Sequence, residues 1–404
     1  MTSGRDFSNN DGALWNVAFW FWFITSLKIT FVALFFRSAP AVGTLFNFLI
    51  SIAFLFFVFF KWLSISRRVD FSSAAKWVYA YIVWAGFSVL WTKADSSAIA
   101  AFYWVGVVLD VVVVWFMLQS GERGKIIEGS LHGIVFSGFV LGFLLLFFFK
   151  TGVDGRVEDE IIHVNSIGSQ IGLSCIASLF FIARIIEKRG AVGKWYGTTV
   201  FLLSCLIYSF SKTSIIAAVI AIVFYALISK GVKGQSIALL SVGALILMLF
   251  WPFIQPFVNA YIQVDESSYT SSAETLSGRT VLWENVWDMI WQAPIAGYGY
   301  FSFRDVSPDI FIIAVPHAHN EFLQQWFSTG IVGVVITLAI YSVAGRYWWR
   351  ISQHFSGMEI NYAAVALAFL IYSIARGVTE ASAVSLVYPL PLILLFLSRS
   401  KDPV

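Results

Sequence analysis

The sequence predicts an all-α, multi-pass membrane protein of about twelve spanning helices, and three observations carry that expectation. Of 404 residues, 59% are hydrophobic and only 12% are charged, whereas soluble domains carry about a quarter. Apolar windows of roughly 20 residues, enough to cross a bilayer, recur along the chain. The charged residues collect in short stretches between them. A bundle of such helices forms one unit, so residues 1–404 are read as a single domain.

Spans are expected near 15–36, 41–61, 74–92, 97–120, 126–149, 164–185, 195–211, 213–230, 235–257, 320–344, 358–375 and 382–398. The N-terminus lacks the basic region and small-residue cleavage site of a removable signal peptide, so the first span is expected to stay. Lys and Arg decide orientation, because cytoplasmic loops are enriched in them. Most of the 26 basic residues, including Lys61, Arg67, Arg68, Arg123, Arg184, Lys188, Arg346 and Arg350, then share a side with both termini. That side is expected to be the cytoplasm. Acidic residues such as Asp154, Glu158, Asp265, Glu284 and Asp305 gather outside.

These loops are too short for a nucleotide-binding domain, and no glycine-rich phosphate loop precedes a helix. ATP-driven work is not expected. Nucleic acid is not an expected partner either, since no basic cluster stands outside the short loops. Cys175 and Cys205 lie in apolar runs and read as small core residues. Asp110 falls mid-span, with Lys28 in the first span as a possible partner. An ionisable group at that depth is a functional hypothesis by default and supports a rival reading, a secondary transporter. Against that rival, the first six spans show no obvious repeat in the last six.

The one large extramembrane segment, 258–319, is expected to be external, between the ninth and tenth spans. It opens on a polar stretch, Asp265 to Glu274. From Ser277 onward Trp283, Trp287, Met289, Ile290 and Trp291 recur at helical spacing. Such a stretch reads first as an interfacial helix and second as a platform for stacking sugars. Pro294 should stop it, and Gly297-Tyr298-Gly299-Tyr300 should turn with its backbone close to a neighbour.

Pro316-His317-Ala318-His319-Asn320-Glu321 directly precedes the tenth span. A helix N-terminus disfavours imidazolium, so a neutral histidine there can accept a proton near neutral pH. His317 and His319 also invite a metal reading. Their side chains are expected to diverge, with no carboxylate at ligand spacing, so no metal is expected. Arg156, Lys212, Arg279, Arg304 and Arg376 stand on the external side, against the usual bias. External cations suit a diphosphate, although each can instead neutralise local carboxylates.

His319-Asn320, nine residues, then Gly330 and, after two more, Gly333 resembles the signature of the O-antigen ligase family. Ser277-Gly-Arg279 with Trp283, and Pro294-Ile-Ala-Gly297-Tyr-Gly299, resemble the rest of the domain that ligases share with O-antigen and exopolysaccharide polymerases. Ser211-Lys212-Thr213 is similar to the family's Ser-Arg-Thr turn, with Lys for Arg. The resemblance implies a GT-C-like fold and a metal-independent, inverting glycosyltransferase without cofactor in the bacterial inner membrane. It would take a glycan from undecaprenyl diphosphate at the periplasmic face and join it to a hydroxyl of lipid A core or, in a polymerase, of a lipid-linked glycan. His319 would be the base; Arg279, Arg156 and Lys212 would hold the diphosphate; His317, Asn320, Arg304 and Tyr298 are possible substrate contacts. Gly330 and Gly333 are expected to serve close helix packing.

Overall fold

The computed structural model describes residues 7–65, 70–149, 164–188, 191–229, 276–307, 317–355, 357–381 and 389–398. Among these there is no β-strand, only an isolated antiparallel bridge between Phe71 and Ser398. The helices are α1 (Phe7–Phe35), α2 (Pro40–Ile65), α3 (Ala75–Ser88), α4 (Ser97–Ser120), α5 (Arg123–Phe147), α6 (Val164–Glu187), α7 (Gly193–Tyr208), α8 (Lys212–Ile228), α9 (Leu276–Ile290), the short α10 (Phe303–Val306), α11 (Glu321–His354), α12 (Met358–Gly377) and α13 (Pro389–Leu397).

Seven of them, α1, α2, α4, α5, α6, α11 and α12, are long and apolar enough to cross a membrane. The expected spans near 74–92, 195–211 and 213–230 appear as shorter helices of 14, 16 and 17 residues, α3 continuing into a 3-10 turn at Val89–Trp91. At about 1.5 Å per residue these are shorter than a hydrocarbon core of roughly 30 Å. The expected span at 235–257 and the stretch Asp265 to Glu274 lie outside the described residues. Of the last expected span, the described part is α13.

Lipid is the solvent the surface asks for. Leu90 is 81% exposed, Phe35 69% and Phe147 68%, and apolar surface of that extent needs an apolar partner. Inside, α5 packs between α1 and α6, α2 lies on α4, and α12 touches α6, α8 and α11. Cys175 and Cys205 are buried and unbridged, as the sequence suggests. A second, smaller core forms where Leu282, Val286 and Ile290 of α9 meet Phe303, Val306, Ala318 and Phe327. It fixes α9 to the start of α11.

Lys28 and Asp110 do meet within the bundle. The Lys28 Nζ lies 2.7 Å from Asp110 Oδ2 and donates to Ser51 Oγ at 3.0 Å, while Ser51 Oγ donates to Asp110 Oδ1 at 2.8 Å. The two charges satisfy each other and tie α1, α2 and α4 together.

α11 corrects one expectation. It runs to His354 rather than ending near 344, and Gly330 interrupts it at φ 68°, ψ −175°. Gly330 is therefore a kink, not simply a small residue on a helix face. The Pro294–Gly299 turn enters the gap: Pro294 O accepts from Ile331 N at 2.9 Å, and Tyr298 N donates to Phe327 O at 2.8 Å. A Cβ at Gly330 would fall 1.9 Å from Ile295 O, in a backbone region reserved for glycine. Gly330→Ala is expected to cost at least ~2 kcal/mol, measured as loss of thermal stability in detergent. A stability equal to wild type would show that the kink can relax.

Candidate functional site

The site forms where four chain segments meet at one end of the bundle, α6 supplying Asn165. α9 supplies Arg279, the turn before α11 supplies His317 and His319, and the turn after α12 supplies Glu380. Asn320 caps α11, its Oδ1 accepting from Phe322 N at 2.9 Å and Leu323 N at 3.0 Å, as expected of Asn at an N-cap. Its amide donates to Val378 O at 2.9 Å. Asn320 is thus the clasp between the two turns. Trp283 Nε1 donates to Ala318 O at 2.9 Å, which ties α9 to the same turn.

His319 sits at φ 48°, a left-handed conformation that histidine tolerates better than most residues. That backbone swings its ring toward His317, with ring centroids 4.2 Å apart. The expected divergence of the two histidines is therefore wrong, and so is the expected want of a nearby carboxylate. Both rings converge on Glu380 Oε1: His319 Nδ1 is 3.2 Å away and His317 Nε2 is 3.4 Å away. The Nδ1 contact lies off hydrogen-bond alignment and is electrostatic in character. His317, His319 and Glu380 place three potential ligand atoms within 4.8 Å of one another, a spacing that a metal ion spans.

Glu380 is only 2% exposed. Its second oxygen, Oε2, accepts from Asn165 Nδ2 of α6 and lies 3.6 Å from Arg279 NH2. Arg279 NH1 donates to Thr379 O at 2.7 Å. Burial by itself would push the Glu380 carboxyl up, but the contact with His319, the positive charge that His317 and His319 bear when protonated, and the nearby Arg376 outweigh it and hold the group well below the usual carboxylate range. Glu380 is a buried, ionised carboxylate.

The Ser211-Lys212-Thr213 turn borders this cluster. Ser211 Oγ donates to Asn165 Oδ1 at 2.9 Å, and Thr379 Oγ1 donates to Thr213 Oγ1 at 3.2 Å. Lys212 lies between them, partly buried, as the first residue of α8. Arg304 is exposed on α10, and none of the contacts above involves it. Tyr298 packs instead: its ring stacks on Phe327 at 4.6 Å, and its hydroxyl donates to Met289 O at 3.2 Å. Arg156 lies outside the described residues.

Sequence reasoning missed Glu380 and Asn165. Arg376-Gly-Val-Thr-Glu380, an acidic residue just past the end of a span and four positions after a cation, was the available signal.

Comparison with known proteins falls on part of the same site. Residues 197–338 match the family model described as O-antigen ligase, a segment that contains the Ser211 turn, α9 and His319. A relative, the exopolysaccharide production protein ExoQ of Rhizobium meliloti (strain 1021), is 22% identical over 293 residues, covering 66% of this chain and 64% of the relative. The chain thus spans just under two thirds of that relative's length. Residues 197–338 are thus similar to the O-antigen ligase family, and they lie in a multi-pass helical membrane protein.

Proposed function

We propose that this protein is an inner-membrane glycosyltransferase that moves a glycan from undecaprenyl diphosphate to an acceptor hydroxyl at the periplasmic face, with both termini in the cytoplasm. The observation that carries this reading is a histidine, inside a segment matching the O-antigen ligase family, paired with a buried carboxylate that Arg279 braces. His319 takes the acceptor proton. The acceptor oxygen then bonds to the anomeric carbon from the face opposite the diphosphate, and the carbon–phosphate-oxygen bond breaks with its electron pair leaving on the diphosphate. Inversion follows from that single displacement.

Lys212, Arg156 and Arg279 supply positive charge for the leaving group. Arg279 is engaged with Thr379 and Glu380, so its charge reaches the reaction from a fixed position rather than from a free arm. Preorganised charge of this kind costs no reorganisation as the reaction proceeds.

The reaction needs no metal in this reading, and one hydrogen bond supports that. His319 N donates to His317 Nδ1 at 3.3 Å, so the neutral His317 ring carries its proton on Nε2, the atom a metal would require bare. Turnover is expected to survive a strong chelator.

The acceptor divides two versions of the reaction. The family description favours ligation to lipid A core, while the name of the relative, an exopolysaccharide production protein, favours a polymerase that lengthens a lipid-linked glycan. Reconstitution with a lipid-linked donor, with and without lipid A core, decides between them. Glycan attached to core identifies a ligase, and longer lipid-linked chains formed without core identify a polymerase. No transfer in either arm would refute the glycosyltransferase reading.

A further inference from the structure

We propose that Glu380 is the positioning residue of the reaction: with His317 it fixes which nitrogen of His319 holds a proton, so that His319 Nε2 alone is left to accept the one from the sugar hydroxyl. This deepens the function proposed above and rests on it.

The argument begins with the main chain. His319 N–H points at His317 Nδ1 from 3.3 Å, and a nitrogen that accepts a hydrogen bond bears no proton. Neutral His317 therefore carries its hydrogen on Nε2, which faces Glu380 Oε1 at 3.4 Å. His317 has no lone pair to spare and is a donor, not a base. The same oxygen faces His319 Nδ1 at 3.2 Å. An ionised carboxylate is an acceptor only, so even without hydrogen-bond alignment its negative charge favours the tautomer with hydrogen on Nδ1, and the lone pair is left on Nε2.

The other carboxylate oxygen is held from behind by Asn165 and Arg279. Glu380 is thereby oriented as well as charged. When His319 takes up a proton, the adjacent carboxylate stabilises the imidazolium. Among the described residues, the charged and titratable groups around this pair are Arg279 of α9, Arg376 of α12 and the two histidines. Asn165 and Glu380 lie outside the segment that matches the family model, 197–338.

The test uses the full-length purified protein with lipid-linked donor. Glu380→Gln keeps the shape but offers an amide hydrogen to Nδ1, which favours the wrong tautomer. It is expected to lower kcat by ~10²-fold with KM for the donor nearly unchanged. Glu380→Asp should recover part of the rate. His317→Gln should keep more of the rate than either His319→Ala or Glu380→Gln. An unchanged kcat in Glu380→Gln would overturn the proposal, and so would loss of turnover in His317→Gln as complete as in His319→Ala.

A second measurement needs no variant. Diethylpyrocarbonate reacts with an unprotonated imidazole nitrogen, so wild-type protein should be labelled at His319 in step with loss of activity. Labelling of His317 in place of His319 would refute the proton placement. Should wild type transfer no glycan to any acceptor, the glycosyltransferase reading fails, and the labelling pattern still decides where the protons sit.

Discussion

His319→Ala is expected to reduce glycan transfer by ~10²–10⁴-fold, the usual contribution of a positioned general base. The loss should fall on kcat more than on donor KM, because the base acts on the acceptor proton and the diphosphate is held by cations. The left-handed backbone at this position complicates alanine, so His319→Asn is the cleaner variant. Asn tolerates the same conformation and cannot serve as an equivalent base. Both variants should reach the membrane at wild-type level, since Glu380 keeps Asn165, Arg279 and His317 as partners. Activity within a few-fold of wild type in His319→Asn would remove His319 from the mechanism.

Asp110→Asn should be the most destabilising of the single changes considered inside the bundle. It removes the only carboxylate in the Lys28 contact described above and leaves an ammonium among α1, α2 and α4. Breaking one side of a buried ion pair costs ~3–5 kcal/mol. The lower end applies here, because the Lys28 side chain is 22% exposed and long enough to reach for a more polar level. Folded yield and midpoint of thermal unfolding in detergent are the measurements. Asp110→Asn combined with Lys28→Met should recover much of the loss, since no uncompensated charge then remains. A double variant worse than the single would mean that Lys28 and Asp110 act through other partners. Recovery would make the pair a fastener of helices, and the transporter reading would lose its strongest residue.

What could be read from the sequence was local. The apolar windows, the Trp-rich helix after Ser277, the stop before Pro294 and the Asn320 cap each depend on residues a few positions apart, and the structure has α9, the turn and the cap in those places. The pairing of Lys28 with Asp110 was legible because two opposite charges in apolar surroundings have few other partners. The convergence of His317 and His319 was not, because it depends on the backbone of a single residue at φ 48°, which composition does not encode. Glu380 was hardly legible either: it reaches His319 across two intervening helices, and its one sequence mark is its place beside Arg376 just past the end of a span. Gly330 was noticed for its size, while its use is conformational. The shorter helices α3, α7 and α8 share their apolar composition with full spans, so windowed hydropathy does not tell them apart.

The four segments that meet at Glu380 enter the chain at very different times during synthesis. Of the four, Asn165 is made first, Arg279 and His319 later, and Glu380 last. Contacts between positions so far apart must wait for loop closure, and domains fold as the chain emerges. An unfinished or truncated chain therefore holds His319 without the carboxylate that orients it. A chain ending before residue 380 should insert and pack much of its bundle yet remain chemically silent, which delays reactivity until the membrane-embedded scaffold around it is complete.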